Sequence, residues 1–115
     1  MREIKFRAWY MPFGSGGPMQ EMVHGKASKI LAFSEMSPDD YIVEQYTGVK
    51  DVNLVDVYAG DIVEVFRGSL NTVVFREGCF GLETKDDPLF VPLCNLEGSM
   101  KVIGNIHENP ELLEE

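Results

Sequence analysis

The sequence predicts a mainly β protein, and three observations support that prediction. The first is a strict alternation near the start of the chain, where apolar Ile4, Phe6 and Ala8 are separated by charged residues. The second is a series of short β-branched and aromatic runs between residues 54 and 106, with turn residues between them. The third is size and composition: 115 residues, 44% of them hydrophobic, suffice for one core or two very small ones.

The N-terminal part of the chain is predicted to supply three strands. The period-two alternation predicts a half-buried strand over residues 2–9, which the glycine- and proline-rich segment 12–18 ends. Met19–Val23 and Lys29–Phe33 are predicted as the second and third strands, because each is a short run of mainly apolar residues.

Residues 37–47 carry two conflicting signals. Ser37, Pro38 and Asp40 suit a helix start, with a serine cap, proline at the first position and an acid at the third. Residues 41–47 are β-branched or aromatic and favour a strand. We expect one helical turn at most, then a strand from about 42 to 47, then a turn or loop at 48–53.

The C-terminal part is predicted to form a barrel. Its five predicted strands cover residues 62–66, 72–76, 79–84, 90–93 and 101–106. The fourth belongs at an edge, because Pro92 cannot donate a hydrogen bond inside a sheet. A small chain hides its sheet edges by curling, so we expect an SH3-like partly open barrel. The predicted regions are an N-terminal β region, 1–53, packed against the barrel of 54–115, and Asn109 and Pro110 predict a short C-terminal helix.

The charge of the chain excludes some classes of partner. Nineteen acidic and ten basic residues give a net charge of −9, which makes nucleic acid an unlikely partner and opposes binding to anionic membranes. Residues 1–33 carry +5 − 2 = +3 and the remainder +5 − 17 = −12, so these parts attract each other within or between chains. With no export signal and no long apolar run, a cytoplasmic location and no membrane contact are expected.

No catalytic constellation is recognisable in the sequence. The glycine-rich segment 14–17 lacks the Lys-Ser/Thr of a phosphate-binding loop and is predicted to be a flexible turn. His24 and His107 have no recognisable nucleophile or orienting partner. The acidic doublets 39–40 and 86–87 are each explained by a turn or a helix start. We therefore expect no enzyme activity, no catalytic residues, no metal and no cofactor.

Three single residues receive structural assignments. Cys79 and Cys94 lie among apolar neighbours and are predicted to be small buried hydrophobes in a reducing compartment. Asp61 is predicted to be a turn aspartate that accepts backbone N–H bonds where a strand begins.

The candidates for an interaction surface lie on the first predicted strand, which is basic and ends in aromatic residues. They are Arg2, Lys5, Arg7, Trp9 and Tyr10. The favoured hypothesis is a non-enzymatic interaction or self-assembly module whose partner is a second copy or another protein. Two alternatives stay open: a nucleic-acid-associated accessory protein or acidic DNA mimic, and an unrecognised metal-dependent hydrolase.

Several segments in fixed order give the chain a family resemblance. They are residues 1–9 (MREIKFRAW), 45–51 (QYTGVKD), Tyr58, 60–63 (GDIV), Gly78 with Phe80 and Gly81, and 102–112 (VIGNIHENPEL). With these, the chain resembles the YopX family of small phage and prophage proteins, over its whole length. The resemblance implies a predominantly β fold, a phage association, and no established biochemical role or site residues. Under the favoured hypothesis, the partner is then a second copy or a host or phage protein.

The chain departs from the family pattern in two places. Tyr10 follows the tryptophan where the family usually has an acidic residue. Residues 52–56 (VNLVD) stand where the family usually has an Asn-Gly turn. The second departure puts the turn geometry in question, because the glycine that would adopt a positive φ is absent.

Overall fold

The computed structural model describes residues 4–14, 16–65, 69–76, 78–84, 90–93 and 99–113. Strands account for about half of these residues and form antiparallel sheets, so the predicted mainly β class is confirmed. The chain divides into two compact units, Met1–Tyr46 and Thr47–Glu115. The predicted regions 1–53 and 54–115 stay a prediction.

The first unit is built on a central strand. β1 (Phe6–Tyr10) pairs antiparallel with β2 (Glu21–Gly25) on one side and with β3 (Tyr41–Lys50) on the other. The predicted strand 2–9 is therefore present from Phe6 onward, and residues 1–3 lie outside the described residues. The second predicted strand is also present, displaced by two residues toward the C-terminus.

The third predicted strand, Lys29–Phe33, was wrong: these residues belong to α1 (Ala27–Met36). The apolar run 30–33 is too short for periodicity to separate a strand from a helix. Its neighbours in the helix are mostly good helix formers, namely alanine, lysine, glutamate and methionine. Ile30 is fully buried while Leu31 is 44% exposed, so the helix buries one stripe on the sheet.

The conflict over residues 37–47 resolves as predicted. Pro38–Asp40 form a single 3-10 turn, and β3 follows it directly. Ser37 makes no side-chain capping bond, so proline at the start and the two aspartates favour this turn. The strand continues to Lys50, beyond its predicted end, and passes Gly48 at a φ of +89°.

The second unit holds the last part of β3 beside β4 (Asp56–Tyr58) and a five-stranded antiparallel sheet in the order β8-β7-β6-β5-β9. Its strands are β5 (Asp61–Val65), β6 (Ser69–Arg76), β7 (Cys79–Glu83), β8 (Phe90–Pro92) and β9 (Met100–Asn105). The core of this unit consists of Val57, Val63, Val65, Val73, Leu82, Leu93 and Met100. The five predicted strands are thus all present, with shifted ends.

Two details of the C-terminal prediction can be compared with the structure. The proline-containing strand β8 is the outer strand of its sheet, as its sequence predicts. The predicted C-terminal helix is, within the described residues, one 3-10 turn at Pro110–Leu113. Asn109 begins it, with its side-chain oxygen accepting the N–H of Asn105 at 3.2 Å. Four residues are too few for a stable α-helix without packing support.

Candidate interaction surface

Two of the predicted interaction residues are buried. Arg7 and Trp9 lie on the same face of the central strand β1 and are 5% and 7% exposed. The Arg7 guanidinium donates from Nε to Glu44 Oε1 on β3 at 2.9 Å, and both side chains are only 7% exposed. The five basic residues of the N-terminal part therefore do not form one exposed patch, because Arg7 is enclosed in an ion pair.

The other predicted residues lie nearer the surface. The Lys5 ammonium sits over the Tyr46 ring, 5.1 Å from its centroid. Tyr10 stacks on Tyr41 with ring centroids 4.9 Å apart, and Tyr41 in turn stacks on Phe33 of α1 at 6.1 Å. Arg2 lies outside the described residues.

The ring stack shows which face of the first sheet α1 covers. Burial raises the pKa of Tyr41, and the nearby Tyr10, Asp40 and Glu21 raise it further. Glu21 is paired with Tyr10 across β1 and β2, so it lies on the face that carries α1. Gly25 lies on the same face, since it is four residues along the same strand and Ile30 Cδ1 is 3.7 Å from where its Cβ would be.

The first sheet has an open edge at β2. Among the strands that the structure describes, β2 ends the order β2-β1-β3-β4 and pairs on one side only. Its five residues contain no proline and no lysine, and they keep a regular register with β1. Prolines, lysines and bulges are the usual devices that prevent a sheet edge from pairing with another chain. Sequence reasoning missed this surface, because it placed the interaction residues on β1.

The other sheet ends are short or covered. β4 and β8 have three residues each, and β8 contains Pro92. The outer edge of β9 is covered by the loop after β3, since Val52 N–H donates to Met100 C=O at 3.0 Å. The Asp51 carboxylate completes this cover by accepting the Val102 N–H on Oδ2 at 2.9 Å. Of the outermost strands in the described part of the chain, β2 is thus the longest one without such a cover.

Asp51 also organises its own loop. Its Oδ1 accepts the N–H of Asn53 at 2.8 Å and of Val55 at 2.9 Å. Burial alone would raise the pKa of Asp51, but the N–H donors of Val102, Val55 and Asn53 and the charge of Lys101 outweigh it. The pKa of this carboxyl is therefore held below its usual value. No sequence signal singled out Asp51, although it belongs to the segment 45–51 that carries the family resemblance.

The same loop contains the residue that adopts a positive φ in place of the missing turn glycine. Leu54 itself adopts the left-handed conformation, with a φ of +64°. The Asp51 hydrogen bonds stabilise this loop conformation, which is unfavourable for the backbone of a leucine residue. The side chains of Val52, Leu54 and Val55 are 51%, 77% and 47% exposed, so the loop presents an apolar tip.

Most of the other residues singled out in the sequence lie in turns or on the surface. Asp61 Oδ2 accepts the Tyr58 N–H at 2.8 Å, which confirms the turn assignment. The Gln20 side-chain amide donates to Gly14 C=O and Gly17 C=O in the glycine-rich turn. His24 is exposed on β2, and His107 lies in the turn after β9, in the other unit.

Two further outcomes concern cysteines and metals. Cys79 is exposed, so its predicted burial was wrong: it begins β7 at a hairpin, where apolar neighbours do not imply burial. Cys94 and the doublet 86–87 lie outside the described residues.

The described side chains include no group of three or more His, Cys, Asp or Glu residues placed to hold a metal. None of the described helices has the length and apolar character needed to span a bilayer.

These features define a small mainly β protein whose most open described surface is a sheet edge. Comparison with known proteins then places it: residues 17–114 match the YopX protein family, and the chain belongs to that family. The chain is also similar to the crystal structure of protein EF1440 from Enterococcus faecalis, with 26% identity and a TM-score of 0.61. That similarity covers 99% of this chain and 100% of the other. No curated protein matches the chain.

Proposed function

We propose that this YopX-family protein is a non-enzymatic interaction module that binds another protein chain by adding a strand to the open edge of β2. The observation that carries the proposal is the contrast between edges. β9 is covered by Asp51 and its loop, β4 and β8 are very short, and β2 has five regularly paired residues with no proline, lysine or bulge. An added strand gains main-chain hydrogen bonds without requiring a pocket.

The proposal modifies the earlier assignment of the interaction to β1. A basic strand at the edge of the sheet could dock on another chain, but β1 is paired on both sides. The candidates on β1 then act as support: the Arg7–Glu44 pair and Trp9 hold the strand on which β2 lies. A phage-associated role in the cytoplasm and an SH3-like description of the second unit belong to this proposal as well.

Static light scattering on the purified protein tests the proposal. We expect a homo-oligomer at high protein concentration whose mass falls on dilution and in high salt. Incubation with host-cell extract and with short duplex DNA provides the comparison arms. A strict monomer at every concentration and at low salt, with no protein captured from the extract, contradicts the proposal. A DNA complex at low salt would favour the nucleic-acid alternative instead.

A further inference from the structure

We propose that the chain which β2 binds is β2 of a second copy, in one defined antiparallel register with Val23 facing Val23 across a two-fold axis. This inference rests on the proposed function and specifies its partner. The result is one continuous sheet in which β3, β1 and β2 of one copy are followed by β2, β1 and β3 of the other.

Symmetry restricts the registers that two identical strands can adopt. Paired side chains in an antiparallel ladder lie on the same face of the sheet, and neighbours along a strand lie on opposite faces. A two-fold axis perpendicular to the sheet must therefore pass through a residue facing its own copy, not between two residues. For β2 the central choices are Met22, Val23 and His24. Only Val23, the middle residue, pairs all five residues of the strand.

The Val23 register also brings opposite charges together. It places Glu21 of one copy opposite Gly25 of the other, on the face that carries α1. Gly25 has no side chain, and Lys29 of α1 reaches over it: a Cβ on Gly25 would lie 3.6 Å from Lys29 Cδ. The Lys29 ammonium lies over the Phe33 ring of its own helix, 5.6 Å from the centroid, and a rotation of the end of its side chain brings it to the Glu21 carboxylate of the other copy. The two-fold axis repeats this pair, so one interface contains it twice.

The other registers lack this charge match. Centring on Met22 places Glu21 opposite Val23, and centring on His24 brings two imidazoles face to face and leaves Glu21 beyond the pairing. The Val23 register also leaves α1 of both copies on the same face, because a perpendicular two-fold axis does not exchange the faces of a sheet. Each helix already contacts β1 and β2 of its own copy, so the joint sheet keeps that cover.

A charge swap tests the pairing of Glu21 with Lys29. Both residues are exposed, so their substitution leaves the fold intact. We expect Glu21→Lys and Lys29→Glu each to weaken dimerisation by about tenfold, measured by sedimentation equilibrium, because each turns two attractions into repulsions. The double variant restores the pair in reverse and should return to within about threefold of the wild-type Kd. Glu111→Lys, the same charge change at an exposed residue of the other unit, is the control.

A cysteine crosslink tests the register independently. In a background of Cys79→Ser and Cys94→Ser, Val23→Cys places two thiols opposite each other with Cα atoms about 5 Å apart, within disulfide reach. We expect rapid crosslinking on mild oxidation, and none for Ile42→Cys, an exposed residue on β3. A wild-type dimer with neither crosslinking nor charge rescue overturns this inference and leaves the proposed function standing. A wild-type monomer also overturns this inference, and it overturns the proposed function as well when no protein is captured from the extract.

Discussion

Arg7 and Glu44 face each other across β1 and β3 and form an ion pair, Nε to Oε1 at 2.9 Å, with both side chains 7% exposed. In this position the charges depend on each other, because neither can recover its hydration by turning to solvent. The pair also lies on the face of the sheet that Trp9 shares. It therefore fixes the register of the strand that supports β2.

Removal of one member of this pair should destabilise the protein strongly. We expect Arg7→Met to lower the free energy of unfolding by about 3 kcal/mol, because the buried Glu44 carboxylate then loses the guanidinium charge beside it. The double variant Arg7→Met with Glu44→Leu should lose less than either single variant, since both charges of the ion pair are removed together. Urea titrations of all four proteins give the coupling energy. Losses that simply add would show that the two residues act independently.

Substitution of Asp51 should release the loop after β3. In Asp51→Asn the amide group can satisfy at most part of the three N–H donors, so we expect a loss of about 2 kcal/mol. Hydrogen exchange at Val102 should accelerate in the variant. An unchanged exchange rate at that amide would show that the carboxylate does not protect the β9 edge.

The lowered pKa of Asp51 gives stability a defined pH dependence. A carboxyl whose pKa is lower in the folded state than in the unfolded state stabilises the fold while it is ionised. For Asp51 this stabilisation is complete above the unfolded-state pKa, near 3.8. It is lost as the pH falls through the lower pKa of the folded state. Below pH 3.8 the wild type should therefore lose more stability than Asp51→Asn. Parallel acid titrations of the two proteins, followed by denaturant unfolding, measure this difference directly.

The raised pKa of Tyr41 should make the stability of the protein depend on pH in the alkaline range. Its pKa is raised chiefly by burial, so the folded state keeps its proton where the unfolded state has lost it. The contribution of Tyr41 to the free energy of unfolding is complete below pH 10.0, the pKa of an unperturbed tyrosine. It is lost as the pH rises from there through the raised pKa of the folded state. The stability of Tyr41→Phe should fall less than that of the wild type across this interval. Equal losses in the two proteins would assign the alkaline effect to other groups.

Leu54 and Gly48 provide matched substitutions with opposite expected signs. Leu54→Gly removes a left-handed leucine that is 77% exposed, so the protein should gain up to about 1 kcal/mol. Gly48→Ala introduces a side chain at a φ of +89° and should cost about 1 kcal/mol or more. Thermal melts of both variants test the pair. A loss of stability in Leu54→Gly would mean that the leucine makes a contact that outweighs its strain.

The sequence predicted the second unit better than the first. Period-two patterns and Pro92 located every strand of the five-stranded sheet, because alternation and ladder chemistry are local properties. The helix Ala27–Met36 was missed, because a four-residue apolar run has no readable period. In such a case the flanking residues decide, and here they favour a helix.

The candidate surface depends on strand order, which is not a local property. Nothing in residues 6–10 tells that this strand lies between two others, and nothing in residues 21–25 tells that their strand is outermost. Burial of Arg7 was hidden for the same reason, since its partner Glu44 is 37 residues away. The exposure of Cys79 depends on its place at a hairpin, which its apolar neighbours did not reveal.

The cover on β9 has a consequence for how the protein responds to acid. The Val102 N–H on the outer side of that strand donates a hydrogen bond to the Asp51 carboxylate of its own chain. This donor is therefore not available to the edge strand of another molecule. Protonation of Asp51 removes the charge that makes this bond strong. At low pH the Val102 N–H of strand Met100–Asn105 is therefore held less firmly, while the Val52–Met100 hydrogen bond on the same edge does not depend on this ionisation.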